Sequence, residues 1–299
     1  MGIHVCLHNF FHDMDLGFFY ALLSRVFDDT VTRGSPQESQ ILLESIFGTT
    51  TRLYEKPWRA TFLFVGESDR NIQHWRRNHR LQDYSCVLKG EPDRERIVNV
   101  PLFVLYSYCY GFTERFVFSP ERIRNPRLHA CTRIPPKDVC VIVSNGTNQE
   151  GRNAFFDQLE RRNIRVDYAG AYKNNVPRVP YPICSPHFVS FVSQYKFIVS
   201  MENSRNATYI TEKILHGFAA NTIPIYWGSD HVGDYFNEAR FIWVKSWDPV
   251  VVDAAIERMV ALANDPEAYL EVINQPIYKD NRVPFPMDVL AEKIKTVLL

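Results

Sequence analysis

The sequence predicts an α/β protein of two halves, each built on a parallel sheet, and three observations predict it. Short apolar runs recur along the chain, separated by stretches with apolar residues at helical spacing. The adjacent prolines of Arg133-Ile134-Pro135-Pro136-Lys137 break that alternation near mid-chain and mark a linker. The chain has 299 residues, of which 45% are hydrophobic and 23% charged, enough length for two cores and the balance of a globular protein.

In the first half, Ile3–Leu7 reads as a buried strand and Leu16–Phe27 as an amphipathic helix. Ser39–Leu43 and Thr61–Val65 read as strands, the second ending at Gly66-Glu67, and Asp83–Leu88 is a further strand. After the proline pair, Asp138–Val143 is a strand followed by the polar turn Ser144-Asn145-Gly146. Arg152–Arg162 is amphipathic, and Ile164–Tyr168 is a strand closed by Ala169-Gly170. Lys196–Ser200 and Thr222–Tyr226 are strands flanking a helix over Ile210–Ala220. Val250–Leu262, Pro266–Ile273 and Met287–Leu298 complete the helices. The expected domains are 1–134 and 135–299, with the final helix able to pack back on the first. A ligand is expected at the carboxyl ends of the strands.

Composition excludes several classes. Lysine plus arginine and aspartate plus glutamate both number 34, so no positive field is available for nonspecific nucleic-acid binding. The longest mostly apolar run, Val100 to Phe112, contains Pro101, Ser107 and Gly111 and is too short to span a bilayer. His4, His8, His12, Asp13 and Asp15 interrupt any secretory leader. The six cysteines form no C-x-x-C pair and read as reduced thiols. Asp13-Met14-Asp15 reads as a three-residue coincidence, and the histidines at 4, 8 and 12 do not build a helical metal-ligand face, because His4 falls on a strand. The basic run from His74 to Arg80 reads as a solvated helix face, with contact to an acidic glycan as the alternative.

The densest chemistry runs from Tyr195 to Ser229. A buried strand ends at Ser200, and a polar loop carries Glu202, Asn203, Ser204, Asn206 and Thr208. A helix then opens on Glu212 and Lys213, and its N–H groups and positive dipole end suit an anion. Lysine at that end is unfavourable for the helix, which an anion such as a diphosphate would explain. The alternative is a solvated Lys213 beside Glu212, a favourable N-terminal carboxylate.

Glu202-Asn203-Ser204, Tyr209-Ile210-Thr211-Glu212-Lys213 and Ile223-Pro224-Ile225-Tyr226-Trp227-Gly228 together closely resemble the donor-binding motif of the α1,3/4-fucosyltransferases, with Met201 in place of the usual phenylalanine. Val143-Ser144-Asn145, Arg152-Asn153-Ala154-Phe155-Phe156 and, in the first half, Phe64-Val65-Gly66-Glu67 are similar to further elements of that family. The resemblance implies the GT-B fold, two Rossmann-like domains facing across a cleft. It implies transfer of L-fucose from GDP-β-L-fucose, with inversion, to a glycan hydroxyl, usually the 3-OH of N-acetylglucosamine in a lactosamine-type acceptor.

The resemblance also assigns roles. Glu67 matches the catalytic carboxylate, the base for the acceptor hydroxyl, with Asp69 as the alternative. Arg152 and Lys213 match the diphosphate cations. Asn203 and Tyr209 would donate to phosphate or fucose, Glu212 would accept from ribose hydroxyls, and Asn145 would line the nucleotide pocket. Tyr226, Trp227 and His216 read as core residues. No cofactor is required, and a divalent metal is at most stimulatory. The expected partners are GDP-fucose and a glycan acceptor, with no nucleic acid and no membrane span. The sequons Asn145-Gly146-Thr147 and Asn206-Ala207-Thr208 fall in donor-site loops, so a cytoplasmic enzyme is expected rather than a Golgi one. A different donor or linkage, or an inactive GDP- or glycan-binding protein, remain the alternatives.

Overall fold

The structure is a computed structural model that describes residues 2–10, 14–48, 56–67, 79–113, 118, 122, 124–125, 130–144, 146 and 151–299. The chain divides into two compact units, one formed by Met1–Thr113 with Phe285–Leu299 and the other by Glu114–Pro284.

The first unit holds β1 (Ile3–His8), α1 (Gly17–Phe27), β2 (Val31–Arg33), β3 (Ile41–Ser45), β4 (Ala60–Val65), β5 (Cys86–Lys89), β6 (Ile97–Asn99) and α2 (Leu102–Cys109). The six strands form one sheet in the order β2-β1-β3-β4-β5-β6, and every pair is parallel. β3 and β4 are buried along their whole length, which is why their sequences read as continuous apolar runs rather than as alternation. Phe19 of α1 meets Phe64 of β4 edge to face at 5.0 Å between ring centroids. The short strands at Val31–Arg33 and Ile97–Asn99 carry too few residues to show a period, and sequence reasoning passed over them. It read Val100–Phe112 only as an apolar run, and α2 occupies most of it.

A buried polar chain crosses this sheet. His8 and Glu44 are register partners on β1 and β3, with His8 Nδ1 2.7 Å from Glu44 Oε1. The Tyr84 hydroxyl donates to Glu44 Oε2 at 2.5 Å and lies 2.7 Å from His79 Nδ1. Because that hydroxyl donates to Glu44, it must accept from His79, so His79 carries its proton on Nδ1. Its Nε2 is buried with no hydrogen-bond partner among the described residues, where a lone pair costs less than an unsatisfied N–H. Burial pulls the His79 pKa down against the opposing pull of Glu44, which agrees with a neutral ring.

The second unit holds β7 (Lys137–Val141), α3 (Arg152–Arg161), β8 (Val166–Tyr168), α4 (Pro186–Val192), β9 (Tyr195–Met201), α5 (Glu212–Ala219), β10 (Ile223–Trp227), α6 (Val232–Tyr235), β11 (Ile242–Trp243), α7 (Pro249–Asn264) and α8 (Pro266–Ile273). Its sheet has the order β11-β10-β9-β7-β8 and is again parallel throughout. Both faces are covered. Phe155, Phe156 and Leu159 of α3 and Ile256 and Met259 of α7 pack on one face, and Phe188 and Val192 of α4 pack on the other. α7 and α8 open on aspartate caps, Asp248 and Asp265, each followed by proline at the first helical position.

α9 (Met287–Leu298) packs on α1 and belongs to the first unit. The units divide at Thr113, upstream of the proline pair, and the described contacts between these positions give the reason. Asn274 accepts from the Cys131 N–H at 2.7 Å and donates to the Cys131 carbonyl at 3.0 Å, which ties the segment before the prolines to the second unit. All six cysteines are free. Among the described residues, no helix is long and apolar enough to cross a membrane.

Candidate functional site

In the second unit, α3 follows β7 and α5 follows β9, and these two strands are hydrogen-bonded neighbours. Parallel neighbours lie about 4.8 Å apart, so both helices begin at the carboxyl edge of the sheet, α3 on one face and α5 on the other, where it packs beside α4. That edge is where ligands bind in open α/β sheets.

Arg152 is the first residue of α3 and is 2% exposed. Burial pulls its pKa down to about 10, opposed by Tyr172, so the guanidinium stays charged at neutral pH. The helix is entered through Gly151 at φ +63°, and a Cβ there would lie 2.2 Å from the Trp247 ring, so only glycine fits. Ahead of it, the Asn153 amide donates to the Gly146 carbonyl at 2.8 Å. Asn145 and Asp69 lie outside the described residues, as does the run from His74 to Asn78.

Thr211 is the N-cap of α5, as its extended φ of −117° and its side-chain bond to the Lys213 N–H indicate. It also makes two bonds to Glu202, the residue that follows β9. The Thr211 N–H donates to Glu202 Oε1 at 2.8 Å and the Thr211 hydroxyl to Oε2 at 2.7 Å. Lys213 Nζ lies 3.2 Å from the same Oε2. Glu202 is fully buried, and its own N–H donates to the Trp227 carbonyl at 2.8 Å. Gly228 leaves room for it, since a Cβ there would stand 2.5 Å from Glu202 Cγ.

Lys213 is therefore not the solvated lysine that the sequence leaves as the alternative. Its Nζ donates to Thr211 Oγ1 at 2.9 Å and to Glu212 Oε1 at 3.2 Å, and pairs with Glu202. Burial opposes its charge, but the two carboxylates outweigh that and raise its pKa. Burial pushes the Glu202 pKa up against the pull of Lys213. Three donors face the Glu202 oxygens, which is the geometry of a carboxylate. For Glu212, burial works upward, but Lys213 and His216 prevail and its pKa is lowered. With both carboxylates ionised, the cluster of Glu202, Glu212 and Lys213 is net negative. The anion that the lysine at this helix end calls for is already present in the chain.

The other expected site residues are spread more widely. Asn203 is exposed on the loop after β9, and Tyr209 is buried, with 6% exposure. Glu67 lies in the first unit, half-buried, two residues past the end of β4. Tyr226, Trp227 and His216 are core residues, and His216 packs edge to face on Phe188 at 4.7 Å. Sequence reasoning named Glu202 only as part of a motif and missed it as the partner of Lys213. A carboxylate directly after a buried strand, followed by a threonine cap nine residues on, was the available signal. Among the described residues, no group of three or more His, Cys, Asp or Glu side chains could hold a metal.

Residues 134–274 match the family model of Glycosyltransferase family 10 (fucosyltransferase), C-terminal part. The chain is 24% identical to Alpha-(1,3)-fucosyltransferase FucT of Helicobacter pylori over 306 aligned residues, covering 93% of this chain and 61% of that one. It is 28% identical to the putative fucosyltransferase R654 of Acanthamoeba polyphaga mimivirus, covering 72% of this chain and 37% of that one. It thus spans about three fifths of the bacterial relative and little more than a third of the viral one. Among solved structures, an α1,3-fucosyltransferase superposes with a TM-score of 0.68 at 20% identity, covering 99% of this chain and 90% of that one. The same superposition on an α1,3-fucosyltransferase with GDP-fucose gives 0.66 at 21% identity, with the same coverage. That likeness establishes the fold, the GT-B class of two parallel α/β units. Residues 134–274 thus match glycosyltransferase family 10, the fucosyltransferase family, and most of the chain is similar to one of its bacterial members.

Proposed function

We propose that the chain is an inverting fucosyltransferase that moves L-fucose from GDP-β-L-fucose to a glycan hydroxyl, the 3-OH of N-acetylglucosamine in a lactosamine-type acceptor. One observation carries the reading. Within the family-matched segment, two helices on opposite faces of the sheet begin at its same carboxyl edge, one on the buried guanidinium of Arg152 and the other on Glu212 and Lys213 behind the Thr211 cap.

In this reading the fucosyl C1–O bond to the diphosphate breaks as the acceptor oxygen bonds to C1 from the opposite face. Negative charge grows on the departing diphosphate, and Arg152, the Lys213 ammonium and the N–H groups that begin α5 stabilise it. Glu67 takes the acceptor hydroxyl proton. Asn203 and Tyr209 hydrogen-bond to phosphate or sugar, Asn145 lines the nucleotide pocket, and Glu212 accepts from ribose hydroxyls. The cations and helix end do the work of a divalent ion, so no metal or cofactor is part of the reading. A cytoplasmic setting is part of it. The six free cysteines support this.

Calorimetric titration with GDP, with UDP as the control, tests the donor half. Micromolar GDP binding without comparable UDP binding supports the reading. No preference for GDP removes it. Incubation with GDP-fucose and N-acetyllactosamine, with analysis of the linkage formed, tests the acceptor half.

A further inference from the structure

The Lys213 ammonium is surrounded by three oxygens of the chain itself, two that accept its hydrogen bonds and one in an ion pair. These are Thr211 Oγ1 at 2.9 Å, Glu202 Oε2 at 3.2 Å and Glu212 Oε1 at 3.2 Å. A phosphate oxygen that approaches Lys213 competes with these three.

The structure distinguishes them. Thr211 is fully buried, and its hydroxyl both accepts from Lys213 and donates to Glu202. Glu202 is fully buried, with both oxygens anchored by Thr211. Releasing either would strand a buried polar group, which is expensive. The Glu212 side chain is 16% exposed, and Lys213 Nζ is the side-chain donor that holds its carboxylate. Once released, it remains in the first turn of α5, where the helix dipole favours a carboxylate.

We propose that Glu212 is the chain's own occupant of the diphosphate position. Donor binding redirects one Lys213 N–H from the Glu212 carboxylate to a phosphate oxygen, while Glu202 keeps its contact and positions the ammonium. The exchange replaces one anion by another, so Lys213 is never left uncompensated. The released Glu212 carboxylate is then available to the ribose hydroxyls. The nucleoside half of the ligand thus favours binding of the diphosphate half, and the reverse. This inference rests on the reading of residues 202–213 as the donor site.

Inorganic pyrophosphate tests it, because it has the diphosphate chemistry and no ribose. Glu212→Gln weakens the competitor without adding bulk and should raise pyrophosphate affinity about tenfold, the scale of one charged hydrogen bond. Glu257→Gln removes the same charge from an exposed position on α7 and controls for the general field. Its affinity should move little, and less still in 0.5 M salt, where the Glu212→Gln gain persists. Retained melting midpoints show that both variants fold. Equal gains in the two variants, a fall for Glu212→Gln, or no measurable pyrophosphate binding overturns the exchange. GDP titration of the unmodified protein reads the donor-site assignment separately. GDP binding with no pyrophosphate gain in Glu212→Gln removes the exchange and leaves the donor site standing.

Discussion

Lys213 Nζ lies 3.2 Å from Glu202 Oε2, and the carboxylate is fully buried. This pairing changes what the lysine offers. Its charge is already offset inside the protein, so in the proposed donor site it would contribute a directed N–H, and the positive field on a diphosphate would fall mainly to Arg152.

Removing Lys213 should therefore damage the fold. Lys213→Met leaves Glu202 buried without its cation, a situation that costs about 3–5 kcal/mol. The double variant Glu202→Gln/Lys213→Met should recover most of that loss, because neither charge is then stranded. Urea denaturation of both variants measures this. Additive losses would show that the two side chains are not coupled.

Arg152 is the other buried cation of the proposed site. Arg152→Met keeps the packed stem and removes the charge. GDP affinity should fall at least about tenfold, by more than any loss of folded protein explains. Calorimetry and denaturation on the same preparation separate the two effects.

Glu67→Gln should leave GDP affinity within about twofold and lower transfer by roughly 10²–10⁴, the usual contribution of a general base. Retained transfer would remove Glu67 as the base.

Stability should fall in mild acid because of His216. Burial pulls its pKa from 6.5 to about 4, with Glu212 opposing, so the unfolded chain takes up the proton first. The stabilisation is complete above about pH 6.5 and is lost as the pH falls toward 4, reaching about 2 kcal/mol by pH 5. His79, lowered in the same direction by burial, adds to the loss. Glu202, raised by burial, works against it as the pH falls. Comparing the unfolding free energy of the wild type with that of His216→Leu at pH 7 and pH 5 isolates the first contribution. The wild type should lose more.

In the first unit, Tyr84→Phe removes the hydroxyl that links Glu44 Oε2 to His79 Nδ1. A buried donor and a buried acceptor lose that partner together, for about 1–3 kcal/mol each. Tyr84→Phe should lower the melting midpoint and leave GDP affinity unchanged. An unshifted midpoint would mean that water replaces the hydroxyl.

The sequence by itself determined the class of each half. Continuous apolar strands such as Ala60–Val65 and Tyr195–Met201 can only be central strands covered on both faces, and helical spacing between them requires parallel crossovers. The Asp248-Pro249 and Asp265-Pro266 starts are likewise local chemistry, legible because a cap and the N–H it binds are neighbours in the chain. The segment that resembles the family's donor-binding motif could be found from residue order alone, since its parts run consecutively from strand to cap to helix.

Tertiary structure decided what those residues do to one another. Glu202 and Lys213 stand eleven positions apart, on opposite sides of a loop, and no spacing rule pairs them. They meet because the end of β9 and the start of α5 fold onto one sheet edge, in space left by Gly228. The Glu44 network is nonlocal in the same way, drawing on β1, β3, Tyr84 and His79. The division of the units at Thr113 follows from contacts of Asn274 with residues far upstream in the chain. Propensity and periodicity act over a few residues, whereas the charge on a buried side chain depends on what the fold places within about 4 Å of it.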